Sequence, residues 1–185
     1  MNRPLLQGRL VRLEAIDPET FAKPDAQWSM DSEYMRLLNS DPTRPWTEKS
    51  AKEEIEKWKI KNTSYVFAIR SLEDNQLIGF GELDGIRWSH ADAWFAIGIG
   101  ERSSWGKGYG TDATREILRF AFEELNLHRV TLNVFEYNTR AIRSYEKVGF
   151  VNEGRVRQFL KREGKRWDLI YYGILRSEWE RDQVR

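Results

Sequence analysis

The sequence predicts an α/β (α+β) domain with a mixed, mostly antiparallel sheet of about seven strands flanked by helices. Runs of alternating polar and apolar residues stand beside runs with helical spacing, which indicates both kinds of element. A third observation is an apolar run that turns through closely spaced glycines into a helical segment. The 185 residues, 40% of them apolar, suffice for one core and are too few for two ordinary domains. Residues 1–185 are therefore expected to form a single domain.

The first 60 residues predict one strand followed by helices. Residues 10–16 alternate as a strand does, and Asp17-Pro18 ends that run. The polar stretch 19–38 carries scattered aromatic residues and predicts one or two helices. Residues 47–60 open with a Thr-x-x-Ser start and continue at helical spacing, which predicts a further helix.

The next segments alternate between apolar and polar residues, a period of two that is typical of strands. Residues 65–70 and 77–83 flank the polar turn 73–76, and this arrangement predicts a hairpin. Residues 93–99 predict a further strand that leads into the glycine turn.

The C-terminal half alternates between the two periods. A stripe of apolar residues predicts a core-facing helix over residues 110–125. The remaining predicted elements are a strand at 129–135, a helix at 139–147, a strand at 150–153 and a hairpin of residues 156–160 with 167–175.

The glycine turn is the most informative feature of the chain. It reads Trp105-Gly106-Lys107-Gly108-Tyr109-Gly110-Thr111. Backbone N–H groups freed by such a turn can converge on a phosphate at the positive end of the helix dipole. The P-loop and dinucleotide patterns are both missing, which leaves the pyrophosphate of a longer cofactor as the candidate anion. An ordinary strand-to-helix turn would use the same glycines, and this alternative stays open.

Composition excludes several functional classes. Thirty basic and 29 acidic side chains give a net charge of +1, so no nucleic acid or membrane partner is expected. The absence of cysteine excludes disulfides, thiolate metal sites and a cysteine nucleophile, and two histidines are too few for a histidine-rich metal site. Residues 1–12 lack the apolar core of a signal peptide, and no run approaches about 18 apolar residues. We therefore expect a cytoplasmic protein without a metal.

A second motif lies at the start of the helix predicted over residues 139–147. It reads Asn138-Thr139-Arg140-Ala141-Ile142-Arg143-Ser144-Tyr145-Glu146-Lys147-Val148-Gly149-Phe150. This segment is similar to an Asn-x-x-Ala/Ser-x-x-x-Tyr-x-x-x-Gly-Phe pattern, and the glycine turn is similar to an Arg/Gln-x-x-Gly-x-Gly/Ala loop. Together they resemble the GNAT superfamily of acyl-CoA-dependent N-acetyltransferases over nearly the whole chain. Residues 127–130 and 173–179 look like the RimJ/RimL and spermidine acetyltransferase branch.

The resemblance implies acetyl-CoA as co-substrate and assigns a role to each motif. Backbone amides of the glycine turn would hold the pyrophosphate, although Trp105 departs from the family's Arg or Gln. Lys107 either adds charge there or is a solvated loop lysine. The pantetheine would pair with the strand at Ile97, Gly98 and Ile99. Asn138 would contact the cofactor, and capping the following helix explains it nearly as well.

Attack of an amine on a thioester needs a deprotonated amine, a polarised carbonyl and a protonated thiolate. The resemblance assigns Tyr145 as the proton donor to the thiolate, the alternative being a core tyrosine. A backbone N–H near residues 97–99 would polarise the carbonyl. Glu82 is the first choice for the base. Further candidates are Asp84, Asp92 and, below these, His90 in a predicted turn.

The acceptor is less well defined by the sequence. Eight tryptophans are a high number, and four of them fall in segments that border the acceptor cleft in the family: Trp28, Trp46, Trp88 and Trp167. Aromatic walls suit a cationic amine, and they equally suit core packing. Acids that could attract a polyamine are Asp25, Asp31, Glu33 and Glu82. A small-molecule amine and a protein N-terminal amine both stay open as acceptors.

The functional hypothesis is an N-acetyltransferase that works by direct attack in a ternary complex. The alternative is a non-catalytic acyl-CoA sensor of the same fold, against which the retained Tyr145 argues. An RNA-binding module would need a basic stripe that the chain lacks. An exposed edge strand near residues 156–160 could support a homodimer.

Overall fold

The fold is described from a computed structural model, which defines residues 4–58 and 62–183. One sheet runs through the molecule, and helices cover both of its faces. The strands are β1 (Val11–Ala15), β2 (Tyr65–Ser71), β3 (Leu77–Arg87), β4 (Asp92–Ile99), β5 (Arg129–Phe135), β6 (Val151–Arg162) and β7 (Lys165–Leu175). The helices are α1 (Pro18–Ser29), α2 (Ser32–Leu38), α3 (Glu48–Trp58), α4 (Tyr109–Arg119), α5 (Thr139–Val148) and α6 (Arg176–Gln183).

The strand order is β1-β2-β3-β4-β5-β7-β6. Every neighbouring pair is antiparallel except β4 and β5, which run parallel. That parallel pair is short and ends at Trp94 opposite Thr131, although β4 continues to Ile99 and β5 to Phe135. The prediction of a mixed, mostly antiparallel sheet of about seven strands is confirmed.

Two apolar clusters lie on opposite faces of the sheet. Because successive strand residues point to opposite faces, Phe80 packs in one cluster and Leu83 in the other. The cluster that contains Leu83 also contains the apolar stripe of α4, including Ile117. The cluster that contains Phe80 also contains residues of α1 to α3, including Phe21 and Ile55. The sheet is therefore a central layer with a separate apolar cluster on each face.

The predicted helix over residues 110–125 differs from the structure in its second half. Regular α geometry ends at Arg119, and Phe120–Glu124 forms a π-helical turn. Leu125 N donates to Phe120 O at 3.1 Å, which closes the wider turn. Phe122 is fully buried in this turn, so the apolar pattern was informative about burial but not about helix type.

Strand β6 joins two predicted strands, 150–153 and 156–160, into one. Its pairing with β7 shifts register between Asn152 and Gly154 and again between Val156 and Leu160. These bulges interrupt the alternation of side chains, which explains why the sequence indicated a break.

Helix α6 was not predicted. Glu178 accepts a hydrogen bond from Leu175 N at 2.9 Å, and the Trp179 ring packs 5.3 Å from that of Phe122. The end of the predicted helix 47–60 lies outside the described residues. None of the helices within the described ranges is long and apolar enough to span a bilayer.

Candidate active site

A cleft of about 670 Å³ opens where β4 and β5 diverge. Strand β4, the loop before α4, the start of α4 and one side of α5 line it. The predicted site residues found in its lining are Glu82, Ile97, Gly98, Ile99, Trp105, Gly106, Gly108, Tyr109, Gly110, Thr111, Asn138 and Tyr145. Lys107 is exposed and is not part of the lining, as expected for a solvated loop lysine.

Strand β4 presents main-chain groups to this cleft. Gly100 N donates to Ile78 O on β3 at 2.9 Å, and Gly98 is paired with Phe80 on the same strand. Since successive residues direct their N–H and C=O groups to opposite sides, Ile97 and Ile99 direct theirs away from β3. Beyond Trp94, β5 is no longer paired with β4, so these groups of Ile97 and Ile99 face the cleft.

The turn before α4 places amides at the end of the cleft. Gly106 and Gly108 adopt positive φ of 75° and 91°, and Gly108 is the N-cap of α4. The first amides of a helix have no partner within it, and they lie at the positive end of the helix dipole. The Thr111 and Ser144 hydroxyls are 2.7 Å apart, which joins α4 to α5. The turn therefore presents unpaired amides at one end of the cleft, at the start of a helix that is joined to α5.

Trp105 occupies the position of the family's Arg or Gln and makes different contacts. Its indole Nε1 donates to Ile99 O at 2.6 Å. The guanidinium carbon of Arg140 lies 3.7 Å from the centroid of the Trp105 ring, and that of Arg102 lies at 4.9 Å. Arg140 also lines the cleft, and burial lowers its pKa from the usual value. A cation is thus present beside the glycine turn, supplied by α5.

Tyr145 lies on the cleft wall formed by α5. It is 7% exposed, and its ring packs edge-on against Phe95 and Phe150 at 6.3 and 5.8 Å. Burial raises the pKa of its phenol, which keeps the hydroxyl protonated at neutral pH. This is the protonation state that a proton donor requires.

Asn138 has the capping role that the sequence left open. Its Oδ1 accepts from Ala141 N at 3.2 Å, at the start of α5, and its Nδ2 donates to Leu37 O at 3.4 Å. The side chain therefore joins α5 to the end of α2 while it lines the cleft.

The candidate bases differ in whether they line the cleft. Glu82 and Asp84 line the cleft. Asp92 forms an ion pair with Arg87, which lowers the pKa of that carboxyl, and it lies outside the lining. His90 is exposed in the turn between β3 and β4 and also lies outside the lining. Position thus favours Glu82 and Asp84.

A second cavity of about 370 Å³ adjoins the cleft on the side of α1 to α3. The residues that line both are Tyr34, Leu38, Glu82, Asp84 and Ala96. Among the predicted acceptor residues, Trp46 and Asp25 line this cavity. Side chains that the sequence did not indicate also line it, among them Tyr34, Trp58, Ser64 and Phe80.

The other predicted acceptor residues lie elsewhere. Trp28 is in the core, 7% exposed, and Trp88 is half exposed to solvent. Trp167 packs against Tyr137 in a separate apolar cluster. The two remaining acids, Asp31 and Glu33, form ion pairs with Arg102.

A splayed parallel strand pair, with a helix N-terminus at its mouth, in a sheet of this order defines an acyltransferase of the GNAT type. The chain belongs to the acetyltransferase (GNAT) domain family, whose model matches residues 9–151. Its relatives are named N-acetyltransferases, and the protein is an enzyme of this class.

Three relatives illustrate the family. The SPbeta prophage-derived uncharacterized N-acetyltransferase YokL of Bacillus subtilis is 30% identical over 173 residues, 94% of each chain. The spermidine N(1)-acetyltransferase of Vibrio cholerae is 33% identical over 118 residues, 64% of this chain and 67% of that one. The crystal structure of spermidine N-acetyltransferase from Vibrio cholerae in complex with CoA and spermine is similar with a TM-score of 0.82 and 25% identity. That similarity covers 92% of this chain and 98% of the other.

Proposed function

We propose that the protein transfers the acetyl group of acetyl-CoA to a primary amine of a small molecule, by direct attack in a ternary complex. The observation that carries this proposal is the junction of the β4–β5 cleft with a second cavity at Glu82 and Asp84. Two substrates could meet there from opposite sides of the sheet. The similar Vibrio cholerae structure, in complex with CoA and spermine, supports this pairing of substrates.

The cleft suits acetyl-CoA through main-chain groups and one cation. Amides at the start of α4 would bind the pyrophosphate, and Arg140 would add positive charge beside it. The N–H and C=O groups of Ile97 and the N–H group of Ile99 would pair with the pantetheine amides as a further strand does, while Ile99 O stays bonded to Trp105. One of these N–H groups would also polarise the thioester carbonyl.

The chemistry needs one proton acceptor and one proton donor. Glu82, with Asp84 as the alternative, would take a proton from the amine at the junction of the two cavities. The amine nitrogen then forms a bond to the carbonyl carbon, and the carbon–sulfur bond breaks. Tyr145 would protonate the departing thiolate, and the second proton that the nitrogen loses on forming the amide would restore the phenol. No acyl-enzyme is required, and the chain has no cysteine to form one.

A small-molecule acceptor is favoured over a protein N-terminus by the size of the second cavity. About 370 Å³ enclosed by α1, α2 and β3 is at the lower end of the range for small-ligand pockets. We place the reaction in the cytoplasm, since a chain without cysteine suits a reducing compartment.

The test is thiol release from acetyl-CoA with polyamines, amino acids, aminoglycosides and short peptides as acceptors. We expect release with one class of small amine, and Tyr145→Phe should lower kcat by about tenfold or more with little change in KM for acetyl-CoA. Tyr65→Phe is the matched control because Tyr65 lies on β2 outside the cleft. Its kcat should equal that of the wild type.

Two results would contradict the proposal. Tight acetyl-CoA binding without release on any acceptor would favour the sensor alternative. Full activity of Tyr145→Phe would remove Tyr145 from the mechanism.

A further inference from the structure

Three buried side-chain oxygens in the described part of the chain lack a hydrogen-bond partner, and all three line the second cavity. They are Asp25 Oδ2, Tyr34 Oη and Ser64 Oγ. Asp25 is only 7% exposed and Tyr34 only 4%. A buried polar atom without a partner costs free energy, and native proteins contain few of them. Three such atoms in one cavity therefore indicate a ligand that donates hydrogen bonds.

The contrast with neighbouring acids shows that Asp25 has no structural task in its helix. Asp17 caps α1 by accepting from Glu19 N, and Asp31 caps α2 by accepting from Glu33 N and Tyr34 N. Asp25 lies inside α1, and burial raises its pKa to about 6. The carboxyl is thus largely ionised at neutral pH in an apolar setting, where a cation would stabilise it.

The walls of the second cavity also suit a cation. Its described lining holds three carboxylates and no basic side chain, the carboxylates being Asp25, Glu82 and Asp84. Trp58 and Phe80 form an aromatic pair with ring centroids 6.1 Å apart, and Trp46 adds a third ring. Aromatic faces attract ammonium groups, most strongly where water is excluded.

The nitrogen bound there would not be the one that is acetylated. Attack on the thioester requires an amine that has lost its proton, whereas a carboxylate beside aromatic rings stabilises the protonated form. The cavity thus suits a second nitrogen of the acceptor, held while the first reaches Glu82. A Cβ at Gly98 would overlap the Tyr34 hydroxyl, so this subsite lies directly against β4. The distance between the two nitrogens must accordingly be short.

We propose that the second cavity binds the non-reacting ammonium group of a compact diamine, with Asp25, Tyr34 and Ser64 accepting its three N–H bonds. This inference rests on the proposed function, because it names the acceptor class of the same site.

The experiment compares α,ω-diamines of three to six carbons with n-alkyl monoamines of equal length, by thiol release from acetyl-CoA. For the wild type, we expect KM for the best diamine to be about tenfold or more below that of its monoamine. Asp25→Asn should raise KM for the diamine by about tenfold or more, leave its kcat within about twofold, and leave the monoamine unchanged. Ser64→Ala should raise the diamine KM by a smaller factor.

Asp41→Asn is the matched control, since Asp41 is exposed and outside both cavities. It should behave as the wild type does. Thermal unfolding and near-UV circular dichroism of Asp25→Asn establish that the variant is folded. Equal KM values for diamines and monoamines, or an unchanged diamine KM in Asp25→Asn, would overturn the inference.

Failure of the proposed function would look different. If no amine releases thiol, calorimetric titration of 1,4-diaminobutane into wild type and Asp25→Asn still tests the subsite. Binding that the variant loses supports the subsite, and equal binding or no binding to the wild type overturns it.

Discussion

At the scale of single residues, Trp105 shows how an aromatic ring can hold a cation beside the glycine turn. The indole is fixed by its hydrogen bond to Ile99 O, and its face carries the Arg140 guanidinium at 3.7 Å. A cation on an aromatic ring gains about 0.5–2 kcal/mol, which restricts the otherwise flexible arginine. The Trp105 ring therefore holds Arg140 beside the glycine turn.

Removal of that cation should weaken acetyl-CoA binding. We expect Arg140→Met to raise KM for acetyl-CoA by about tenfold with little change in kcat, because one charge-assisted contact is lost. Trp105→Leu should have a similar effect, and the double variant should be little worse than either single one. Arg157→Met on the exposed strand β6 is the control. Additive losses would show that Arg140 does not act through Trp105.

The sequence predicted the motif residues of the site better than its polar cavity. Tyr145 and the glycines belong to contiguous motifs, so the family resemblance carried by those motifs indicated them, and their roles stay predictions. Asp25 was one of four acids that suited a cationic acceptor, and Tyr34 and Ser64 were not indicated. What distinguishes these three is burial without a partner, and that property arises only when α1, α2 and the residues before β2 pack together.

At the scale of elements, helix α4 depends on the backbone conformation at its start. Gly108 has φ of 91°, and a Cβ there would lie 3.4 Å from Leu10 Cδ1. Gly110 lies two residues further along, inside α4, where no positive φ is found, and a Cβ there would lie 3.5 Å from Ile99 Cγ1. A side chain would therefore have similar room at both positions, but only at Gly108 would it be placed on a left-handed backbone.

This difference predicts opposite effects on stability. Gly108→Ala should lower the free energy of unfolding by about 1–2 kcal/mol, because a non-glycine residue is strained in the left-handed region. Gly110→Ala should be neutral or slightly stabilising, since alanine favours the helix. Chemical denaturation of the two variants measures this. A stability loss in Gly110→Ala as large as in Gly108→Ala would assign the effect to space rather than strain.

Elements with a clear period were predicted well, and those shaped by tertiary contacts were not. The hairpin of β2 and β3 and strand β5 follow from alternation alone. The bulges of β6 and the π-helical turn after Arg119 preserve burial while they break the period. Helix α6 has few apolar residues, and it is held by Trp179 against Phe122, a contact with no local signal.

At the scale of the whole molecule, the end of α2, beside the second cavity, is bonded to the β6–β7 hairpin at the edge of the sheet. Arg162, at the end of β6, donates to the carbonyls of Asn39 at 3.0 Å and of Arg36. Glu163 forms an ion pair with Arg36 on α2. The end of α2 and the β6–β7 hairpin are therefore one unit. The homodimer expected through residues 156–160 stays a prediction, and Val156 and Phe159 are exposed there.

The free energy of unfolding should depend on pH through the ionisation of the buried Asp25 carboxyl. Its folded pKa of about 6 lies above the ordinary 3.8, so the folded protein binds more protons than the unfolded chain between these values. Stability from this group is therefore gained as pH falls through 6 and lost as pH rises. Between pH 7.5 and pH 5, the wild type should gain about 1 kcal/mol relative to Asp25→Asn.

Denaturation of both proteins at the two pH values measures this difference. The titratable groups that line the same cavity, Tyr34, Glu82 and Asp84, are present in both proteins, and their contributions largely cancel in the comparison. A difference that does not vary with pH would contradict an elevated pKa for Asp25.

Because β4 diverges from β5, the side chains at the cleft edge of β4 can vary among related sequences. The recognition proposed for the N–H and C=O groups of Ile97 and the N–H group of Ile99 does not depend on which side chains those positions carry. Evolution can therefore exchange these residues for others of similar shape without loss of the binding edge, and proline alone among the natural amino acids would delete a donor. A conventional alanine scan of this strand would overlook its contribution.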